Sequence, residues 1–241
     1  MGVKSPVFLL ATFLALGASS ATAAGGAERP AAARPAAAAG AAAGAALPLN
    51  VRGLTDGPRE AVLKAAMSAY SKALKQGAVA REGVLTIIDY TLPSTEPRLW
   101  VVDLLKGQVL YRELVAHGRE SGDNIAKKFS NKSGSFMSSL GLFVTDESYM
   151  GQNGYSMRLR GLDKGVNDRA YERAIVMHGA DYVDEGVAQA LGRLGRSLGC
   201  PAVRLDIAAS LIDTIKDGTV MFAYGAKSPA KRQPAVTRVR N

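Results

Sequence analysis

Apolar and polar positions alternate with two different rhythms along the chain. Between residues 56 and 77, Val62, Leu63, Ala66, Met67, Tyr70 and Leu74 recur at helical spacing. Thr55 or Asp56 stands where a cap is expected, Pro58 falls near the first turn, and Gly77 can end the run. This predicts one helix within residues 55–80, apolar along a single stripe and packed on the flank of a domain. From Val84 the period shortens. Residues 84–90 are β-branched and strand-like, and residues 98–104 and 108–115 flank a Lys106-Gly107 turn, which predicts a hairpin. Trp100 is expected to anchor the core. Ala116-His117-Gly118 opens a long polar loop over residues 119–133, carrying Lys127, Lys128 and Lys132. Strands are expected at 138–145 and 155–159, with a loop at 146–154 between them. A further strand over 173–177 ends at His178. Helices follow at 182–191 and 204–216, and a last strand at 219–224. Strands dominate and a few helices are added, so the fold class is α+β and β-rich, with the domain at residues 81–225.

The N-terminal pattern is of another kind. Lys4 precedes an apolar run over residues 6–18, too short to span a bilayer as a mature helix, and Ala21-Thr22-Ala23 has the small-x-small form of a cleavage site. Residues 1–23 therefore read as a secretory signal peptide; the competing reading is an uncleaved anchor. Residues 24–54 form a linker, nearly all Ala, Gly and Pro as far as Leu47, with too little bulky apolar content for a core. Residues 226–241 read as a basic disordered tail containing Lys227, Lys231, Arg232, Arg238 and Arg240. The chain is thus expected to be exported to the periplasm or cell envelope, touching membrane only through the signal segment if that is retained.

Charge narrows the partners. The net charge of +9 suits an anionic surface such as a wall polymer or lipid headgroups. No nucleic-acid recognition motif accompanies the basic excess, so a nucleic-acid partner is not expected. The oligomeric state is not legible in the pattern.

Candidate chemistry gathers in one stretch, residues 175–203. It holds Cys200, the only cysteine, and His178, one of two histidines, each beside a glycine at the end of an apolar run. A thiol becomes a strong nucleophile as thiolate, and a nearby imidazole can take its proton. Gly199 permits a tight turn before the thiol and leaves the Gly199 and Cys200 amides to point at one oxyanion. Pro201 suits the first turn of a following helix, whose dipole would lower the thiol pKa further. On spacing alone, this catalytic pair stands level with a buried cysteine and a structural histidine. One Cys and two His without ligand spacing do not make a zinc site, so no metal is expected.

Ser197-Leu198-Gly199-Cys200 and His178-Gly179 resemble the nucleophile and base motifs of the L,D-transpeptidase (YkuD-like) family. The likeness is closest to the murein L,D-transpeptidase catalytic domain subfamily and runs over about 140 residues, 84–224. Further resembling stretches are Leu85-Thr-Ile-Ile-Asp-Tyr90, Leu92-Pro-Ser-Thr95, Phe129-Ser-Asn131, Ser138-Ser-Leu-Gly141, Ala174 through Tyr182 and Gly192 through Ala202. The resemblance implies a β-sandwich or barrel with a few packed helices. It implies an acyltransferase acting on peptidoglycan stem peptides through a Cys200 thioester and forming 3–3 cross-links, with His178 as base, the Gly179 carbonyl orienting it, and no cofactor. A carboxypeptidase or amidase using the same site, or a silent wall-binding module, are the alternatives. Relatives often carry an arginine two residues after the cysteine; here that position is Ala202. Arg196 is the candidate replacement, against a plain pairing with a surface acid. Tyr182 and His117 are candidate substrate contacts, the latter against a structural role. Ser197 could bond His178, the substrate or its own backbone.

Overall fold

The computed structural model describes Val51 and residues 54–226. The expected signal peptide, most of the linker and the tail beyond Ala226 lie outside the described residues. Among the described residues no helix is long and apolar enough to cross a membrane.

The predicted flanking helix is α1, Glu60–Lys75. Val62, Ala66, Tyr70 and Ala73 form its buried stripe. Its start differs from expectation: neither Thr55 nor Asp56 caps it, the N-cap being Arg59 with no side-chain bond. Asp56 instead turns left-handed, and its carbonyl accepts the Trp100 indole N–H at 2.9 Å. Gly77, at φ +61°, ends the helix as the pattern requires.

Among the described residues eight strands follow. They are β1 Val84–Asp89, β2 Leu99–Asp103, β3 Gln108–Glu113, β4 Gly141–Gly151, β5 Gly154–Gly161, β6 Val176–Ala180, β7 Ala202–Arg204 and β8 Val220–Tyr224. Two helices interrupt them, α2 Glu185–Leu191 and α3 Leu205–Ile215. One mixed sheet results, in the order β3-β2-β1-β8-β4-β5-β6-β7. The β1–β8 and β6–β7 pairs are parallel and the others antiparallel. Its two edges meet: Ala116, just past β3, bridges to Ala202 of β7, with the Ala116 amide donating to the Ala202 carbonyl at 2.8 Å. The sheet is therefore a nearly closed barrel, within the β-rich α+β class.

Alternation sorts the core into two faces. Ile88, Leu99, Val101, Phe143, Met157, Met177 and Met221 point to one side, where Ala208, Leu211, Ile212 and Ile215 of α3 pack against them. Leu85, Ile87, Trp100, Val102, Leu142, Val220 and Phe222 point to the other and meet the α1 stripe. Covered on both faces, β1 is buried along nearly its whole length, Thr86 and Asp89 included.

Three local expectations are corrected. Residues 146–151 are not a loop but the outer half of β4, hidden from sequence because its side chains are polar and partly exposed and a register shift between Thr145 and Ser148 breaks the alternation. His178 is not the end of a strand but the middle of β6, since the residues before Val176 form a turn closed by left-handed Ala174. No helix begins at Pro201: the chain after Cys200 enters β7, and α3 starts only at Leu205. The helix-dipole assistance to the thiol is therefore lost.

Candidate active site

The β6–β7 pair places His178 and Cys200 on neighbouring segments. His178 lies opposite Ala202 in parallel register. Cys200 is two residues before Ala202, and its Sγ meets Val176, two residues before His178. The Val176 amide donates to Sγ at 3.5 Å, and the thiol donates to the Ala174 carbonyl at 3.8 Å. Cys200 is half-buried.

The histidine is polarised by its own strand. Its Nδ1 lies 2.8 Å from the Gly179 carbonyl. A carbonyl only accepts, so Nδ1 carries the proton and the Nε2 lone pair is the basic one. Gly179 is also a packing requirement: a Cβ there would lie 2.9 Å from the Ala208 Cβ and 3.1 Å from Leu205 Cδ2 of α3. Burial holds His178 below the usual histidine range, with the Gly179 contact opposing it. Burial likewise pushes the Cys200 thiol up, opposed by the Val176 amide and then by the Arg173 charge. Both shifts favour a neutral thiol and a neutral imidazole at rest over an ion pair.

The nucleophile turn closes on itself. The Ser197 hydroxyl donates to the Cys200 carbonyl at 2.6 Å and accepts from the Gly199 amide at 3.1 Å. Ser197 thus serves its own backbone. The Gly199 amide is occupied by that bond, so it is not the free oxyanion donor that the sequence suggested. The Cys200 amide has no partner among the described residues. Gly199 has φ +127°, and a Cβ would sit 2.9 Å from the Met137 carbonyl and 3.1 Å from Ile175 Cδ1. Gly118 is pressed against it from the other side: a Cβ on Gly118 would lie 2.9 Å from the Gly199 Cα. The backbone of residues 116–118 runs alongside, with the Ser197 amide bonded to the His117 carbonyl and the Arg119 amide to the Ser197 carbonyl.

A family model described as the L,D-transpeptidase catalytic domain matches residues 55–224. The chain belongs to that family. Among solved structures it is similar to an L,D-transpeptidase from Mycobacterium smegmatis, at 16% identity over 59% of this chain and 58% of that one, TM-score 0.36. It is similar to L,D-transpeptidase 1 of Mycobacterium tuberculosis, at 13% identity over 59% of this chain and 62% of the other, TM-score 0.35. It is also similar to the helical cell shape determining protein Pgp2 from Campylobacter jejuni, at 10% identity over 71% and 58% of the two chains, TM-score 0.41. The matched region spans less than two thirds of each of these structures. No curated protein matches the chain.

The remaining sequence candidates of this L,D-transpeptidase domain fall into different places. Leu198 is exposed at the rim of the turn. Tyr182 packs its ring where a Gly195 Cβ would be, and its carbonyl accepts the Gly195 amide at 2.9 Å. Burial pushes its phenol up to about 12, with the Cys200 and Asp181 charges adding to the shift. Arg196 is turned to the 122–123 loop, bonding the Gly122 carbonyl at 3.1 Å and pairing with Asp123 at 3.3 Å alongside Arg193. These contacts are those of the plain pairing with a surface acid, the alternative to a substrate role. His117 is corrected more firmly. It is fully buried. Its Nδ1 accepts from buried Arg98 at 2.8 Å, and Nε2 donates to the Gly122 carbonyl at 3.3 Å.

Two residues that sequence reasoning passed over border the nucleophile turn. Ser138 accepts the Gly118 amide at 3.0 Å and donates to the Gly199 carbonyl at 3.1 Å, tying both glycines together. Arg173 reaches the same turn from the segment before β6: its Nη2 would lie 3.5 Å from a Cβ on Gly199. In sequence Arg173 looked like the first residue of an apolar strand. Its signal was a lone cation directly before that run.

Proposed function

We propose that this protein is a cysteine L,D-transpeptidase of peptidoglycan stem peptides. The observation that carries the reading is the polarised His178. With Nδ1–H fixed on the Gly179 carbonyl, its basic Nε2 sits on the strand that pairs with the Cys200 segment. Membership of the L,D-transpeptidase family supplies the substrate class.

In this reading Cys200 Sγ attacks the carbonyl of the third stem residue. The S–C bond forms as His178 Nε2 takes the thiol proton; the raised thiol and lowered imidazole pKa values favour transfer during attack over a preformed ion pair. The Cys200 amide, free of other partners, donates to the developing oxyanion. The bond to the terminal D-alanine breaks, and its amine leaves with the proton from His178. An amine from a neighbouring stem then attacks the thioester, returns its proton through His178 and restores the thiol, giving a 3–3 cross-link.

Mass spectrometry of the full chain with a tetrapeptide donor tests this. A thioester adduct on Cys200, absent in Cys200→Ala, is the expected result, together with 3–3 dimers when an acceptor stem is supplied. Release of D-alanine without dimers would make the protein a hydrolase at the same site. An adduct that persists in Cys200→Ala would remove Cys200 from the chemistry.

A further inference from the structure

Two residues after Cys200 stands Ala202, where relatives often carry an arginine. The fold shows why an arginine does not belong at that position. Ala202 is fully buried in β7, in an apolar cluster with Leu114, Ala116, Ala180, Val183 and Leu194. A guanidinium at this point would be buried among these apolar side chains in the barrel seam.

A different arginine stands at the turn. Arg173 extends from the segment that left-handed Ala174 closes, the same residue whose carbonyl accepts the thiol. Its Nη1 donates to the Ser130 carbonyl at 2.7 Å and the Ser139 hydroxyl at 2.6 Å. Its Nη2 donates to the Met137 carbonyl at 2.7 Å and the Ser135 hydroxyl at 3.2 Å. All four acceptors are neutral oxygens, so these bonds fix the guanidinium without cancelling its charge. Both nitrogens thereby fasten residues 130–139 against the nucleophile turn, where the Met137 carbonyl already faces Gly199.

We infer that Arg173 is a positioning residue for Cys200: it presents a fixed positive charge to the nucleophile turn and locks the 130–139 loop over Gly199. This rests on Cys200 being the nucleophile. The titratable groups that bear on the thiol are Arg173 from the turn before β6, Tyr90 after β1 and Tyr182 after β6, with His178 on β6 itself. Both tyrosines are pushed up to about 12 by burial and stay neutral near pH 7. Burial lowers the Arg173 pKa, but a guanidinium remains charged throughout the working range. Arg173 is therefore the fixed cation that the thiolate meets.

The test is the pH profile of Cys200 alkylation by iodoacetamide on the full chain. Arg173→Gln keeps a hydrogen-bonding head but removes the charge. Its alkylation midpoint should rise by about one pH unit or more, which is about a tenfold loss of rate near pH 7. Arg173→Lys should hold the wild-type midpoint to within about half a unit, and Ser135→Ala with Ser139→Ala, which loosens the loop but keeps the charge, should do the same. A profile for Arg173→Gln that superimposes on wild type overturns the inference, as does an equal shift in the double serine variant. Should Arg173→Gln fail to fold, Arg173→Lys decides: a midpoint held supports the charge role, and one raised by a full unit overturns it. A wild-type thiol that does not alkylate at all defeats the nucleophile assignment itself. A reactive wild-type thiol with an indifferent Arg173→Gln defeats only the assignment to Arg173.

Discussion

His117 illustrates how burial reassigns a residue that looks catalytic. Beside a glycine at a strand end, it has the same local signature as His178. In the fold it accepts a hydrogen bond from Arg98, itself fully buried with its guanidinium on the Val115 and Leu92 carbonyls and over the Tyr90 ring. Burial first, and then the Arg98 charge, lower the His117 pKa to about 4. The sign follows from linkage: the unfolded chain takes up the proton near pH 6.5, the folded one only near pH 4. The stabilisation is complete above pH 6.5 and is lost as pH falls towards 4. That shift corresponds to about 3 kcal/mol, and His178, also lowered by burial, adds in the same direction. Urea unfolding measured from pH 7.5 to 4 should show this decline. His117→Asn, which keeps an acceptor for Arg98 but cannot titrate, should flatten most of it. An unchanged slope would mean that His117 is not the proton-linked group.

Elements were most legible where burial on one or two faces gave a clean period. The α1 stripe and the β2–β3 hairpin follow the pattern closely, because each has an apolar face and turn residues at its ends. What could not be read was where an element starts when the signal is tertiary. Arg59 begins α1 without a cap, and its guanidinium instead joins Asp89 at 2.9 Å and Thr91 at 2.7 Å at the end of β1. The helix is further pinned by Tyr70, whose hydroxyl accepts the buried Gly83 amide at 2.8 Å just ahead of β1. Tyr70→Phe should leave that amide unsatisfied and cost about 1–3 kcal/mol in urea unfolding. Acylation of Cys200 should be unaffected, since α1 packs on the opposite face of the sheet from α3. A loss below about 0.5 kcal/mol would show that water replaces the phenol.

At the scale of the whole molecule, closure of the barrel builds the site. The Ala116–Ala202 bridge joins the sheet's edges, and residues 116–118 thereby run along the nucleophile turn. Small side chains are needed at that seam. Ala202→Arg, which would introduce the arginine that relatives often carry there, should destabilise the domain by about 3 kcal/mol or more through overpacking and a buried charge. Denaturant unfolding of Ala202→Arg beside Ala202→Ser checks this. An arginine tolerated without loss would reopen β7 as a place for the site's charge.

The sequence by itself determined the β-rich class and the order of most elements, and it singled out His178 and Cys200 as candidates, because apolar period and glycine-flanked motifs are local signals. It also put Ala202 where relatives often carry an arginine. Only the tertiary structure brought a different arginine to the nucleophile turn. Arg173 is 27 positions before Cys200 and comes to Gly199 through the left-handed turn at Ala174 and the folded 130–139 loop. The surroundings of His117 and Arg196 came from the fold in the same way, burial in one case and an opposing carboxylate in the other. Charge and burial depend on what the fold carries into contact, and that is not written in spacing along the chain.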